Sequence, residues 1–350
     1  MVSLSLSANG PAVQAAPEHG GGVNAAARRY GIPREQWLDL STGINPEVWP
    51  VPEIPPALFT RLPEADDELE STAADYYGSD QLLALAGSQQ AIQELPRLRL
   101  ALNGVGRVGV LTPGYAEHRH HWQLNGHSVE AVSAAQIEAR LPQLDVLVLI
   151  NPCNPSTCRF EPGQLEAWRQ QLARRGGWLV VDEAFIDATP ELSLIAPEIP
   201  DGLILLRSLG KFFGLAGLRV GFLFADDAIR AALATRIGPW AIANPSRWLA
   251  ARALQDRAWQ QGARQRLDEQ RRRLVQLLHD HIQEHLPGSV RSTSLFAWVE
   301  TDAARRIGRR LALQGVLVRE FDEPPGLRFG LPGEERQWQR LAQALREATG

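Results

Sequence analysis

From about residue 66 onward, short and nearly continuous apolar runs alternate with amphipathic stretches. The runs fall at Gly106–Leu111, Leu144–Ile150, Trp178–Val181, Leu203–Leu206 and Arg219–Phe224, lengths that suit strands buried on both faces. Between them, Gln89–Leu95 and Gly163–Arg175 carry apolar residues at helical spacing. Strands alternating with helices predict an α/β class: a mainly parallel sheet sandwiched by helices. Upstream, Val23–Tyr30 reads as a short helix behind the glycine run Gly20-Gly21-Gly22, and Pro46–Pro56 as extended chain. After Asn244-Pro245 the pattern predicts a long helical stretch from Arg247 to about His285, its charged side solvated. Strands at Ser294–Glu300, Val316–Arg319 and Leu327–Gly330 follow, then a helix over Glu334–Ala348. Three parts are expected: an N-terminal arm over 1–45, a large domain over 46–245 and a smaller α+β domain over 246–350.

Composition narrows the function classes. With 350 residues, 44% of them hydrophobic, the chain can build a large core. A net charge of −4, with acids interspersed among the arginines, argues against nucleic acid as a partner. No apolar stretch is long enough to cross a bilayer, and residues 1–17 lack the basic and apolar regions of a secretory leader, so the expectation is a cytoplasmic protein without a membrane partner. Cys153 and Cys158 are the only cysteines, too few for a disulfide framework or a zinc site. All but one of the 36 basic residues are arginine; the exception is Lys211. A codon bias toward arginine accounts for the many but not for the one. A position that keeps lysine is a candidate for needing a primary amine, because a guanidinium stays protonated and does not condense with an aldehyde.

Three places in the chain suit pyridoxal phosphate, a cofactor whose aldehyde condenses with a lysine, whose ring nitrogen needs an acid partner and whose phosphate needs an anchor. Asp182 ends the apolar run Trp178–Val181, and a carboxylate at a strand's carboxyl end sits where open α/β sheets bind ligands. Alone it is equally an ordinary turn aspartate. Ser208, Lys211 and Arg219 cluster just after the run Leu203–Leu206, giving a hydroxyl and a guanidinium for the phosphate around the amine. Asn154 lies in the loop Asn151-Pro-Cys-Asn154-Pro after Leu144–Ile150, able to donate to the ring oxygen.

In order, these segments resemble the class I/II branch of the fold-type I aminotransferase superfamily from about residue 30 to the end. The pattern is carried by Asn151-Pro-Cys-Asn154-Pro, Asp182-Glu-Ala-Phe185, Ser208-Leu-Gly-Lys211 and Gly217-Leu-Arg219-Val-Gly221. The resemblance implies that Lys211 forms the Schiff base, Asp182 pairs the pyridine nitrogen, Asn154 touches the ring oxygen, and Ser208 and Arg219 bind phosphate. It further implies a phosphate cradle at Gly87-Ser88-Gln89, stacking by Tyr115, and Arg328 in Gly326-Leu-Arg328-Phe-Gly330 as the partner of the substrate's α-carboxylate. Within the superfamily, His19-Gly20-Gly21-Gly22 and Leu38-Asp-Leu-Ser-Thr-Gly-Ile-Asn45-Pro46 are similar to the opening of the threonine-phosphate decarboxylases of the cobalamin pathway. Histidinol-phosphate aminotransferases are near neighbours. This implies decarboxylation of L-threonine O-3-phosphate, a small phosphorylated amino acid, with His19, Gly20 and Asn45 gripping its phosphate in an arm that closes over the site. A homodimer is implied as well.

The chain departs from the superfamily pattern in places. Phe185 replaces a common tyrosine, Ser156-Thr157-Cys158 replaces a Thr-Gly run, and Leu62 stands where aminotransferases carry a tyrosine that reaches the neighbouring subunit. Two rival readings stay open: a metal protein built on Glu117-His118-Arg-His120-His121, and a binder that keeps the fold without the chemistry. The histidine spacing fits no common zinc pattern and reads instead as a solvated helix face.

Overall fold

The computed structural model describes residues 17–283 and 289–349, so the first sixteen residues of the expected arm lie outside the described residues. The expected buried runs become the centre of a seven-stranded sheet. Its strands are β2 (Leu82–Leu85), β3 (Arg107–Leu111), β4 (Ser128–Val132), β5 (Val146–Ile150), β6 (Trp178–Asp182), β7 (Leu203–Ser208) and β8 (Gly221–Phe224). They lie in the order β2-β8-β7-β6-β5-β3-β4, with β8 antiparallel to both neighbours and the run from β7 to β4 parallel. β5 and β6 are buried at every position. Their alternate side chains enter two cores: Val146, Val148 and Val180 on one face, Leu147, Leu149, Leu179 and Val181 on the other. The first face is covered by helices Ser88–Asn103 and Asp227–Ile237.

A second sheet, antiparallel throughout, has the order β12-β13-β10-β9, built from β9 (Ser289–Ser292), β10 (Phe296–Glu300), β12 (Arg319–Asp322) and β13 (Pro325–Gly330). The expected strand Val316–Arg319 is divided. Val316–Leu317 (β11) leaves to pair in parallel with Leu38–Asp39 (β1), and only Arg319 onward joins the sheet. This small pairing ties the N-terminal segment to the C-terminal unit. The long helical stretch expected from Arg247 is divided into two helices, Asn244–Gln255 and Arg257–Leu278. Asp256 breaks it: at φ −80°, ψ 75° it leaves the helical path, and its carboxylate accepts from Trp259 N at 3.0 Å as an N-cap and from Trp49 Nε1 at 3.0 Å. Among the described residues no helix is long and apolar enough to cross a membrane.

Candidate active site

The carboxyl ends of β5, β6 and β7 open onto one cavity, lined by Asn154, Asp182, Ser208 and Lys211 with Ser88, Gln89, Tyr115 and Arg219. Parallel strands deliver the residues that follow them to the same edge of the sheet, so motifs far apart in sequence meet there. Asp182 is buried at the end of β6. One of its oxygens accepts from Ala184 N at 3.0 Å and the other from His118 Nε2 at 3.1 Å. Lys211 stands with its Nζ 5.3 Å from the centre of the Phe185 ring. Burial, then the nearby Arg328 and Arg219 guanidinium groups, lower its pKa to about 8 against the opposing pull of Asp182. A lysine with that pKa is still mostly protonated near neutral pH, but a far larger share is the free amine than for an ordinary lysine, and the free amine is the nucleophile.

The cavity's other wall is the start of α3 (Ser88–Asn103), with α1 (Val23–Tyr30) and α2 (Leu69–Tyr77) preceding it in the chain. The α3 N-terminus has no side-chain cap and no acid in its first turn, leaving its N–H groups and positive dipole end open to an anion. Its N-cap, Gly87, has φ +78°, and a Cβ there would come within 2.7 Å of Arg219 Nη2. Arg219 itself takes a left-handed backbone, φ +55°, uncommon for a residue with a side chain. Ser208 is buried, its hydroxyl accepting from Gly210 N at 3.3 Å.

Arg328, on β13, is buried between the two sheets' ends. It donates from Nη1 to Asn154 Oδ1 and from Nη2 to the Ser41 carbonyl, while its buried Nε has no hydrogen-bond partner. Burial, then Arg319, pulls its pKa down to about 10. Arg328 does not itself line the cavity, which its partner Asn154 does.

The arm residues occupy different places. Gly20 lies against Ser41, where a Cβ would be 2.2 Å from the Ser41 carbonyl oxygen, and Gly21 N donates to Ser41 Oγ at 2.7 Å. His19 reaches Glu117 Oε1 at 2.8 Å and packs its ring 5.6 Å from that of Tyr115. Asn45 is not brought to the cavity. Its Nδ2 donates to Phe212 O at 2.8 Å, its Oδ1 accepts from Glu47 N at 3.0 Å, and its own N–H donates to Lys211 O at 3.0 Å, so the expected grip on a substrate is replaced by a brace behind the Lys211 loop.

The expectation of a solvated face over residues 117–121 is also corrected. In α4 (Ala116–Leu124) Glu117 and His118 are buried, His120 and His121 are half-buried, and only Arg119 of the five is exposed. His118 and Glu117 are site residues the sequence reading did not select. The spacing held the signal, since His118 lies one turn after Tyr115 and therefore on the same helix face. Among the described residues no group of three or more His, Cys, Asp or Glu side chains is arranged to hold a metal ion.

A buried carboxylate at the end of a central strand, the chain's one lysine and an uncapped helix start beside an arginine define a site built to hold a phosphorylated, nitrogen-bearing ring system. Residues 58–345 match the family model "aminotransferase class I and II", and the chain belongs to that family. It is 49% identical to a threonine-phosphate decarboxylase of Pseudomonas aeruginosa, over 94% of this chain and 97% of that protein. To a threonine-phosphate decarboxylase of a Sinorhizobium species it is 37% identical over 93% of this chain and 97% of the relative. The solved histidinol-phosphate aminotransferase of Sinorhizobium meliloti, in complex with pyridoxal-5'-phosphate, shares the fold with a TM-score of 0.80 at 19% identity, covering 99% of this chain and 98% of that one.

Proposed function

We propose that this chain is a pyridoxal-phosphate-dependent carboxy-lyase that converts L-threonine O-3-phosphate to (R)-1-amino-2-propanol O-2-phosphate, in the cytoplasmic assembly of cobalamin, working as a homodimer. The observation that carries the reading is that the single lysine opens onto the same cavity as Asp182 and the uncapped start of α3. The choice of substrate is supported by the threonine-phosphate decarboxylases it resembles over nearly its whole length.

The residues fit the cofactor. A Cβ at Gly87 would fill the space beside Arg219 that a phosphate needs, and the first turn of α3 offers free N–H groups. Ser88, Gln89, Ser208 and Arg219 would hold the phosphate, Asp182 the ring nitrogen, Asn154 the ring oxygen and Tyr115 the ring face, with Lys211 making the covalent link through its amine. When bound, pyridoxal phosphate supplies an electron sink for the pair released as a bond to the α-carbon breaks.

The chain's own residues decide which bond that is. Arg328, whose Nη groups hold Asn154 and the Ser41 carbonyl, would turn one of them to bind and orient the substrate's α-carboxylate, and His118 fixes the Asp182 carboxylate from behind. Lys211, once freed, would hold at Nζ a proton that it can give to the α-carbon in place of the departing CO₂; its lowered pKa suits both the covalent link and the proton's release. Gly20 brings the arm alongside Ser41, on the Arg328 side of the site, and His19 brings it alongside Tyr115, on the side of the α3 start.

The test is incubation of the cofactor-loaded wild type and Lys211→Ala with L-threonine O-3-phosphate, measuring CO₂ release and, with 2-oxoglutarate added, amino transfer. CO₂ release without transfer, absent from the Ala variant, supports the proposal. Transfer without CO₂ would move the chain to the histidinol-phosphate type of aminotransferase.

A further inference from the structure

Glu117 is a buried carboxylate at the start of α4 that touches three separate pieces of the site. Its Oε1 accepts from His19 Nε2 of the arm at 2.8 Å. Its Oε2 accepts from Gln89 Nε2 in the first turn of α3 at 2.6 Å and from His121 Nε2 of its own helix at 2.9 Å. Burying a carboxylate is costly unless several donors meet it, and here three do, each from a side chain rather than from the scaffold's backbone. A carboxylate needed only to support α4 could have been satisfied within that helix; this one reaches out to the arm and to the phosphate-cradle helix.

The contact also sets directions. Because Gln89 gives its Nε2 to Glu117, its Oε1 faces the other way and accepts from the Tyr115 hydroxyl at 3.3 Å. The Tyr115 ring in turn packs against the His19 imidazole at 5.6 Å, closing a ring of contacts His19, Glu117, Gln89, Tyr115. Two residues beyond His19, Gly21 N rests on Ser41 Oγ, and the Ser41 carbonyl accepts from Arg328. The arm is thus pinned at two points, one over the α-carboxylate side of the cavity and one over the phosphate-cradle side.

We infer that Glu117 is a positioning residue, a latch that fixes the arm through His19 and ties its closed position to the orientation of Gln89 and Tyr115. The inference rests on the proposed function for its choice of substrate, but not for the latch itself. Since Glu117 touches neither Lys211 nor Asp182, releasing the latch loosens substrate capture and leaves the bond-breaking step in place.

Two single variants and their combination test it: Glu117→Gln, which removes the charge, and His19→Phe, which keeps the ring packing on Tyr115 and deletes the hydrogen bond. Losing the charge-assisted bond to half-exposed His19 is expected to raise KM for L-threonine O-3-phosphate about tenfold in each variant, with kcat within about twofold. Because both act through one contact, the double variant stays near tenfold rather than approaching a hundredfold. Independent, multiplying effects would overturn the latch. So would a fall in kcat at unchanged KM.

A second readout needs no turnover: hydrogen–deuterium exchange of the cofactor-loaded protein, following the amides of residues 18–22. Faster exchange there in Glu117→Gln and in His19→Phe is the expected result, and exchange equal to wild type refutes the latch. If the wild type does not act on the phosphorylated amino acid, the proposed function fails while the exchange result still decides the latch. If Glu117→Gln does not fold, His19→Phe, altered on the exposed side of the contact, carries both measurements alone.

Discussion

Gly87→Ala separates the cofactor site from the fold. At φ +78°, ψ 157°, Gly87 sits in a region that residues with a Cβ almost never enter, at a cost on the order of 1–3 kcal/mol. The added methyl would also stand 2.7 Å from Arg219 Nη2, closer than real contacts allow. That atom is the far end of a flexible side chain, so the relief is a swing of the guanidinium and not a shift of β8. The stability cost is therefore mainly the backbone term. Cofactor binding takes the rest: an arginine pushed from the phosphate loses a charge-assisted hydrogen bond of about 1.5–3 kcal/mol, or roughly ten- to a hundredfold in Kd. Pyridoxal phosphate is titrated into the cofactor-free protein, following tryptophan quenching, and thermal melts are recorded without cofactor. The expected outcome is a modestly lower Tm with a Kd weaker by at least about tenfold, and little further loss when Arg219→Ala is added. A lower Tm with Kd within about twofold of wild type would refute the placement of the phosphate between Gly87 and Arg219.

Two further outcomes follow from the same geometry. Lys211 has a folded-state pKa lowered from 10.5 to about 8, so between those values the unfolded chain still holds a proton that the folded chain has released. Stability of the cofactor-free protein should then rise with pH from about 8 toward 10.5, and Lys211→Met should flatten that rise in chemical denaturation series across this range. His118→Phe keeps a ring in the buried position and removes the bond to Asp182 Oδ2, and kcat is expected to fall about tenfold or more with an unchanged circular dichroism spectrum; full activity would make His118 a packing residue only.

The parts of the fold legible in the sequence were those buried on both sides. β5 and β6 read as unbroken apolar runs because each face meets a core. The strands that escaped notice, β1, β2, β4 and β9, are all at sheet edges: polar residues break the pattern of β4 and β9, while two-residue β1 and four-residue β2, Leu-Leu-Ala-Leu, are too short to stand out. The break at Asp256 was hidden because the amphipathic pattern continues on either side of it, and an aspartate is as ordinary on a solvated helix face as at a cap. The division at Val318 depends on a partner strand some 280 residues upstream, Leu38–Asp39, which no local pattern reveals.

At the site, Lys211 stood out by composition alone, and Asp182 and Asn154 by their places after apolar strands. The sequence misled where a side chain's surroundings come from another element. Glu117 and His118 sit in a run rich in charge and histidine that looks solvated, yet the arm, α3 and β6 close over them. Asn45 looked like a free donor and is spent on the backbone of Phe212 and Glu47.

The central claim is that the chain's one lysine carries the cofactor. The direct measurement is borohydride reduction of the cofactor-loaded protein, followed by proteolysis and mass spectrometry of the pyridoxyl-labelled peptide. The account predicts a single label, on Lys211, that does not form in Lys211→Ala; protein that takes up the cofactor yet yields no label at Lys211 would contradict it.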